Sequence, residues 1–321
     1  MLGAVVVLIG VPGAWTVHAF GPRFGVYLGA PSPQRYAEIA LDLMENGYYA
    51  TGPEWEAQRA RVRAAADGAA SIEELHGPLA TAVKVAGGKH SYFLDPAKAA
   101  RSSSAAAAEF SEPTVTTVDS ITTVTIPALG AVSDELRQRY ADAAAVGILG
   151  AADRTCGWIV DLRGNAGGTM YPMLSGLTPL LPNGTAMTFR TRAGEDMPVT
   201  IFDDGAGMGG TVISVGAVAK FADQPVAVLQ DGDTVSSGEA VLTAFRGLDN
   251  TRSFGADSAG YTSANSVHPL YDGALLVLTD STYVDRDGVN LAEEPVAADH
   301  RTSSDGAEVA ALEWLRDRGC N

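Results

Sequence analysis

Residues 157–168 read GWIVDLRGNAGG and residues 226–240 read VAVLQDGDTVSSGEA. In each, a short apolar run passes directly into a loop of glycine and polar residues, and the second loop opens into a helical pattern. Short apolar runs bounded by turn residues read as buried strands. Two such strand-to-loop units separated by helical sequence point to an α/β core in which helices cover a largely parallel sheet. The pattern extends outward on both sides. Val115–Val118 and Ile121–Ile126 are β-branched strands, and Ser133 caps a helix expected to run to about Ile148. Helix Ser237–Arg246, strands over 274–279 and 281–284, and a last helix near 306–316 complete the layered core.

Toward the N-terminus the texture is helical. Ser32-Pro33 is an N-cap followed by proline at the first helical position, Tyr36, Ile39, Ala40 and Leu43 share one face, and Gly47 is a stop. A second amphipathic stretch covers 53–68. Ser71 to Glu74 has capping-box spacing for a third helix, with Leu75, Leu79, Ala82 and Val83 inward and Gly87-Gly88 at its end. Residues 32–95 are therefore expected to form a helical cap. The stretch 96–113, PAKAARSSSAAAAEFSEP, is small, polar and bounded by proline, which reads as a mobile linker or surface loop before a core over 114–321.

The chain has 321 residues, with 22 Lys and Arg against 38 Asp and Glu, a net charge of −16. Such a field repels phosphate backbones, so nucleic acid is not an expected partner. Cys156 and Cys320 show neither CxxC nor Cys/His metal spacing, so no structural zinc is encoded; in an oxidising compartment they are available for one bridge. Before Arg23 no side chain carries a formal charge, and Leu2–Trp15 reads LGAVVVLIGVPGAW. Residues 1–22 read as a secretory signal or short membrane anchor, with Val17-His18-Ala19 supplying small residues for cleavage. A buried first strand is the competing reading, because the n-region lacks Lys and Arg and Pro12-Gly13 interrupts the apolar run.

The two loops carry the candidate chemistry. Glycines at a strand-to-helix junction let backbone N–H groups approach an anion or a developing oxyanion, although alone such a turn is often only a turn. Asp161–Gly168 lacks the Lys and Ser/Thr of a phosphate-binding loop. Ser236 stands at the second junction, where helix N-terminal amides favour negative charge and the Ser237 N–H faces the space before it. Ser236 and Glu239 also have S-x-x-E spacing, so a plain helix cap is the alternative.

Taken together and in order, DLRGNAGG from Asp161, LQDGDTVSSGEA from Leu229, FGADSAGYT from Phe254 and PLYDGALLVLT from Pro269 resemble the C-terminal processing (tail-specific) serine protease family. The resemblance covers about residues 115–300. It implies a Clp-protease/crotonase-like α/β core, with Ser236 as nucleophile and amides of Gly167 or Gly168 and of Ser237 as the oxyanion hole. No metal or organic cofactor is implied, and the partner is a peptide or protein substrate. The family's general base is a lysine in the segment after the serine. Here that place holds Tyr261, and no lysine follows Lys220. An unperturbed phenol with a pKa of about 10 is a poor base at neutral pH, and Arg252 nearby does not deprotonate.

Histidine has the pKa the task needs. Of His18, His76, His90, His268 and His300, the choice is His90 in GGKHSYF after the third cap helix, with His268 in reserve. This looks like the tricorn-type branch of the family, in which an N-terminal histidine replaces the lysine. That branch takes its orienting glutamate from a position that maps onto Glu293 or Glu294; Asp285 and Asp287 stay open, and Ser91 is a possible relay. The 96–113 segment is too short for the PDZ domain many relatives carry, leaving the cap and the 186–220 insertion to shape the cleft. The sequence thus leads to an extracytoplasmic serine endopeptidase, secreted or envelope-anchored. The alternative is a non-catalytic relative binding a peptide or apolar ligand in the same cleft.

Overall fold

The computed structural model describes residue 21 and residues 26–320; the expected export segment 1–22, with His18, lies outside the described residues apart from Gly21. In chain order the elements are α1 (Pro33–Met44), α2 (Gly52–Gly68), α3 (His76–Gly87), β1 (Tyr92–Leu94), α4 (Pro96–Ala108), β2 (Thr114–Val118), β3 (Ile121–Thr125), α5 (Asp134–Ala151), β4 (Gly157–Asp161) and α6 (Met170–Gly176). They continue with β5 (Gly184–Thr191), β6 (Asp196–Phe202), β7 (Gly205–Gly207), β8 (Ile213–Ser214), β9 (Val226–Gln230), α7 (Ser237–Phe245), β10 (Thr251–Gly255), β11 (Ser263–Pro269), β12 (Leu275–Val284), β13 (His300–Arg301) and α8 (Ser304–Arg316). They form two units: a cap of the residues up to Ser102 with Ala264–Ser281, and a core of Ser103–Ser263 with Thr282–Asn321.

The core unit is built on a six-stranded sheet in the order β13-β10-β9-β4-β3-β2. All pairings from β3 to β13 are parallel, and β2 joins β3 as an antiparallel hairpin edge. Strands covered on both faces need apolar residues at every position rather than alternate ones, which explains the unbroken GWIV and VAVL runs. Ile159, Ala227 and Leu229 pack with Phe254 against Ala307, Ala311 and Leu315 of α8. Their neighbours Trp158, Val160 and Val228, which point the other way, are equally buried. Pairing of Asp161 with Leu229 sets the two carboxyl ends level, so the loops after β4 and β9 leave the sheet side by side.

The 186–220 insertion is an antiparallel meander, β5-β6-β7-β8. Lys220 anchors its far end by donating to the carbonyls of Thr178 (3.0 Å), Leu181 (3.3 Å) and Phe202 (3.0 Å). These strands were not expected, because their Gly-rich and Thr-rich sequence carries little alternation.

In the cap unit the expected inward residues of α1 and α3 are all buried. They pack with Trp55 and Val62 of α2 and with Leu270, Leu276 and Leu278, so β12 and the turn before it supply one side of the cap's core. That contribution was not anticipated, since the sequence places 114–321 in one block. Tyr36 Oη donates to Asp272 (2.9 Å) and His76 Nε2 lies 2.7 Å from the other oxygen of the same carboxylate, fixing the β11–β12 turn to α1 and α3.

Two local expectations are corrected. Residues 96–108 form helix α4 rather than a linker loop: Asp95 caps it by accepting the Lys98 N–H (2.8 Å), Pro96 suits the first turn, and the Ala-rich body favours helix although only Ala99 is buried. The third cap helix opens through a tight Glu73–Leu75 turn and is α-helical only from His76, with no side-chain cap from Ser71.

Cys156, next to β4, and Cys320, after α8, are joined by a disulfide with Cα atoms 5.3 Å apart. It closes 164 residues of chain, for which the chain-entropy estimate is about 5 kcal/mol. Neither cysteine should react with iodoacetamide in the folded, unreduced protein. The paired Cys156→Ala and Cys320→Ala variant should melt roughly 5 to 15 °C lower, read by calorimetry.

Candidate active site

Five hydrogen bonds stitch the loop after β4 to the loop after β9. Leu162 N–H donates to Leu229 O (2.9 Å), Gly164 N–H to Asp231 Oδ1 (3.1 Å) and Val235 N–H to Asn165 O (2.9 Å). Thr234 Oγ1 donates to Leu162 O (2.9 Å), and Ser237 Oγ to Gly168 O (2.7 Å). Asn165 braces the first loop from within: its Nδ2 donates to Ile126 O (2.8 Å) and its Oδ1 accepts the Gly167 N–H (2.9 Å). Arg163 ties the same loop outward, pairing with Asp161 (2.6 Å) and reaching Ser304 O (3.2 Å) at the start of α8.

Ser236 sits at the tip of the second loop with φ 53° and ψ −109°, a conformation that L-residues adopt at a cost of about 1–3 kcal/mol. This sharp turn lies between strand β9 and helix α7. The strain is held by Glu239, which is fully buried in the first turn of α7. Its Oε2 accepts the N–H groups of Ser236 (2.8 Å) and Tyr261 (2.8 Å), and its Oε1 accepts Ser258 Oγ (2.5 Å) and the Gly260 N–H (2.7 Å). Burial raises its pKa despite these four donors. The S-x-x-E spacing thus does form a helix-start contact, and the same carboxylate also holds the 258–261 segment against the serine.

Gly167 has φ +88°, and a Cβ there would lie 2.8 Å from Val235 O, 2.9 Å from Ser236 Cβ and 3.1 Å from Ser237 N. The glycine therefore keeps open the space in front of Ser236 and the Ser237 amide. The amide of Gly167 is committed to Asn165, so of the three expected oxyanion donors Gly168 and Ser237 have N–H groups without a partner among the described residues. Ser236, Ser237, Gly167 and Gly168 are brought together by these contacts.

Tyr283, near the end of β12, had no place among the expected site residues. Its side chain is buried and its ring stacks on Phe189 (centroids 5.4 Å apart). Glu293 lies in the core unit, nearly buried, in a left-handed conformation (φ 62°) that follows another at Ala292 (φ 48°). Its Oε1 accepts Ser263 Oγ (3.0 Å). Asp285 is taken up by Arg246 Nε (3.0 Å) and by the amides of Asp287 and Val289, so it serves its own turn.

His90 belongs to the cap unit, in the turn between α3 and β1, and its carbonyl accepts Asn265 Nδ2 (3.3 Å). Burial, with a smaller push from the Lys89 ammonium, lowers its imidazole pKa to about 4. Ser91 beside it is fully buried, its Oγ accepting the Thr279 N–H (2.8 Å). His268 also lies in the cap unit, on β11, its pKa lowered by burial against a weaker pull from Asp280. His300 on β13 packs its ring against Phe254. No cluster of His, Cys, Asp and Glu arranged to hold a metal ion occurs among the described residues.

Comparison with known proteins agrees with this fold. A nisin-resistance protein of Lactococcus lactis subsp. lactis is 33% identical over 303 residues, spanning 94% of this chain and 93% of that protein. A solved lipoprotein from Streptococcus agalactiae superposes with a TM-score of 0.79 at 29% identity, over 92% of this chain and 99% of the other. The photosystem II D1 C-terminal processing protease shares the fold, with a TM-score of 0.59 at 13% identity over 86% of this chain and 94% of the protease. The core is thus the expected Clp-protease-like α/β fold. Residues 120–302, more than half of the sequence, match peptidase family S41, and the chain belongs to that family.

Proposed function

We propose that this chain is a serine-type endopeptidase that cleaves peptides or proteins outside the cytoplasm, with Ser236 as nucleophile and His90 as general base. The observation that carries this reading is the strained Ser236 turn at the N-terminus of α7, facing a space that Gly167 leaves open and next to the unpartnered amides of Gly168 and Ser237. In the proposed reaction Ser236 Oγ attacks the scissile carbonyl carbon and its proton passes to the His90 imidazole. The carbonyl oxygen becomes an oxyanion that accepts hydrogen bonds from the Ser237 and Gly168 N–H groups. Collapse expels the amine, which takes the proton from the imidazolium, and water then hydrolyses the acyl-enzyme by the same route. Glu293 is the proposed acid that orients the imidazole. Gly167, its own amide engaged, contributes space rather than a donor.

The extracytoplasmic setting is supported by the uncharged apolar N-terminal sequence and by the Cys156–Cys320 disulfide, a bond that persists in oxidising compartments. The similarity to a lipoprotein points the same way. Because a 33% identical relative is named for nisin resistance, nisin belongs in any substrate panel beside unmodified peptides.

A fluorophosphonate probe should label the purified protein, and labelling should disappear in Ser236→Ala and His90→Ala variants that remain folded. Folded wild type that stays unlabelled from neutral to mildly alkaline pH and cleaves nothing in the panel would favour the non-catalytic, ligand-binding alternative.

The pH dependence has a definite sign. His90 acts as base only when neutral, and its pKa is lowered to about 4, so labelling should persist as pH falls through the usual histidine range and be lost only near 4. In Lys89→Gln the acid limb should move upward, because a neighbouring positive charge no longer opposes the imidazolium; circular dichroism across the range separates titration from unfolding.

Gly167→Ala should reduce labelling at least a hundredfold, since the methyl group fills the oxyanion space and the residue must hold a positive φ. Activity near wild type in that variant would remove Gly167 from the site.

A further inference from the structure

Strand β2 ends the six-stranded sheet on one side: among the described residues it pairs with β3 and with no other strand. The pairing runs unbroken from Thr114 opposite Thr125 to Val118 opposite Ile121, and the chain turns between them through Asp119 (φ 54°) and Ser120. In a strand the N–H and C=O of one residue point to the same neighbour, and those of the next residue point to the opposite one. On β3 the even-numbered residues turn toward β4, because Ile126 N–H donates to Asp161 O (3.0 Å) and Ser120 O accepts the Cys156 N–H (2.7 Å). The odd-numbered Ile121, Thr123 and Thr125 therefore turn toward β2, where they face Val118, Thr116 and Thr114. It follows that the backbone groups of Val115 and Thr117 point out of the sheet, and no hydrogen bond meets them among the described residues.

Sheet edges are ordinarily blunted by lysine, proline or a bulge within the strand. In β2 the sequence TVTTV has neither residue, no charge and no break in register. The neighbouring surface is apolar. Val118 is 68% exposed, and in α5, where Gly147 makes room for the Val115 side chain, Val146 (67% exposed) and Leu149 are uncovered.

From this edge we infer that β2 is an assembly strand, pairing antiparallel with β2 of a second copy of this chain about a two-fold axis through Thr116. The inference is independent of the serine-peptidase reading. An open edge takes only another extended strand, and symmetry selects which one. With the axis at Thr116, Val115 of each copy faces Thr117 of the other, so the outward donors and acceptors meet one another and each such pair exchanges two hydrogen bonds. An axis through Val115 would set Thr117 against Pro113, which has no N–H, and one through Thr117 would set Val115 against the Asp119 turn. Charge agrees with the same register. Two chains of net charge −16 repel, so their seam must be neutral where they touch. About Thr116, Asp119 falls opposite Pro113 and Glu112 opposite Ser120, so no carboxylate faces another, and Glu112 already pairs with Arg139.

Sedimentation equilibrium of the full chain tests this. The average mass should rise from one chain toward two between about 1 and 100 µM. Thr117→Pro removes an outward N–H at an edge position where proline is tolerated, and Thr116→Lys sets two ammonium groups against each other across the axis; each should keep the wild-type melting temperature and remain monomeric. The lysine variant decides the matter if the proline unfolds the hairpin. Thr116 of each copy would form a non-hydrogen-bonded pair with Cα atoms about 4.5 Å apart, within disulfide reach, whereas Val118 would lie far from its own equivalent. Under mild oxidation Thr116→Cys should therefore cross-link to a dimer at least tenfold faster than Val118→Cys, with the native Cys156–Cys320 bond intact. Three results would each overturn the inference. They are a wild type monomeric up to about 1 mM, whether its edge stays bare or is filled by residues 1–22 or by a peptide, a folded Thr116→Lys variant that dimerises like wild type, and equal cross-linking at 116 and 118.

Discussion

Everything at the site hangs on one buried carboxylate. Glu239 has no solvent exposure, yet it receives four hydrogen-bond donors, two on each oxygen. Only a carboxylate presents two acceptor oxygens of this capacity; an amide of the same shape would turn two donors against two donors. Burial disfavours the charge and raises the pKa, and the four donors work against that shift. The arrangement makes sense as a clamp: one donor is the Ser236 amide in its strained turn, and two others are the main chain of the segment that follows β10. Without the clamp the serine would relax toward ordinary backbone geometry and carry the Ser237 amide with it.

The clamp matters only because the sheet has already delivered the two loops to one place. Parallel, in-register pairing of β4 with β9 puts Asp161 opposite Leu229, and from there the chains run on together, bonded at Leu162, Gly164, Asn165 and Gly168. Two of those bonds join backbone to backbone, and the other three satisfy a backbone group with a side chain. Asn165 shows how tightly the loop is specified. Its side chain uses a donor on Ile126 and an acceptor on Gly167, while its carbonyl takes the Val235 amide. A loop so cross-linked presents its remaining amides at fixed positions, which is the condition for stabilising charge that appears only in a transition state.

Sequence made some of this legible and concealed the rest for identifiable reasons. The GWIV and VAVL runs announced central strands because burial on both faces removes alternation, and the cap helices announced themselves through apolar spacing, with Ser32 capping the first. The Ala/Ser stretch at 96–108 read as a loop because its composition is small and polar, but alanine needs little burial to be helical once Asp95 and Pro96 start the turn. The share of β11 and β12 in the cap core was hidden, since residues such as Leu276 and Leu278 look the same whichever unit they serve. That Ser236 stands at a strand-to-helix junction could be read from its loop. The engagement of the Gly167 amide by Asn165 could not, because a motif specifies residue types and not which amide is already spoken for.

Tyr261, which stands where the sequence resemblance implies a lysine, also takes on a physical meaning. What the site requires of residues 258–262 is delivered almost wholly by the main chain: the Gly260 and Tyr261 amides on Glu239, and the Thr262 carbonyl on Tyr283. Gly260 is fixed by geometry, since its φ is +80° and a Cβ would press on Pro295 at 2.9 Å. The side chain at 261 carries none of those backbone contacts. The side chain at that position can therefore change without disturbing the contacts that hold Ser236, and the serine, its clamp and the neighbouring amides stay as they are. This separation of the backbone scaffold from the side chain at 261 is why a tyrosine there leaves the Ser236 turn intact.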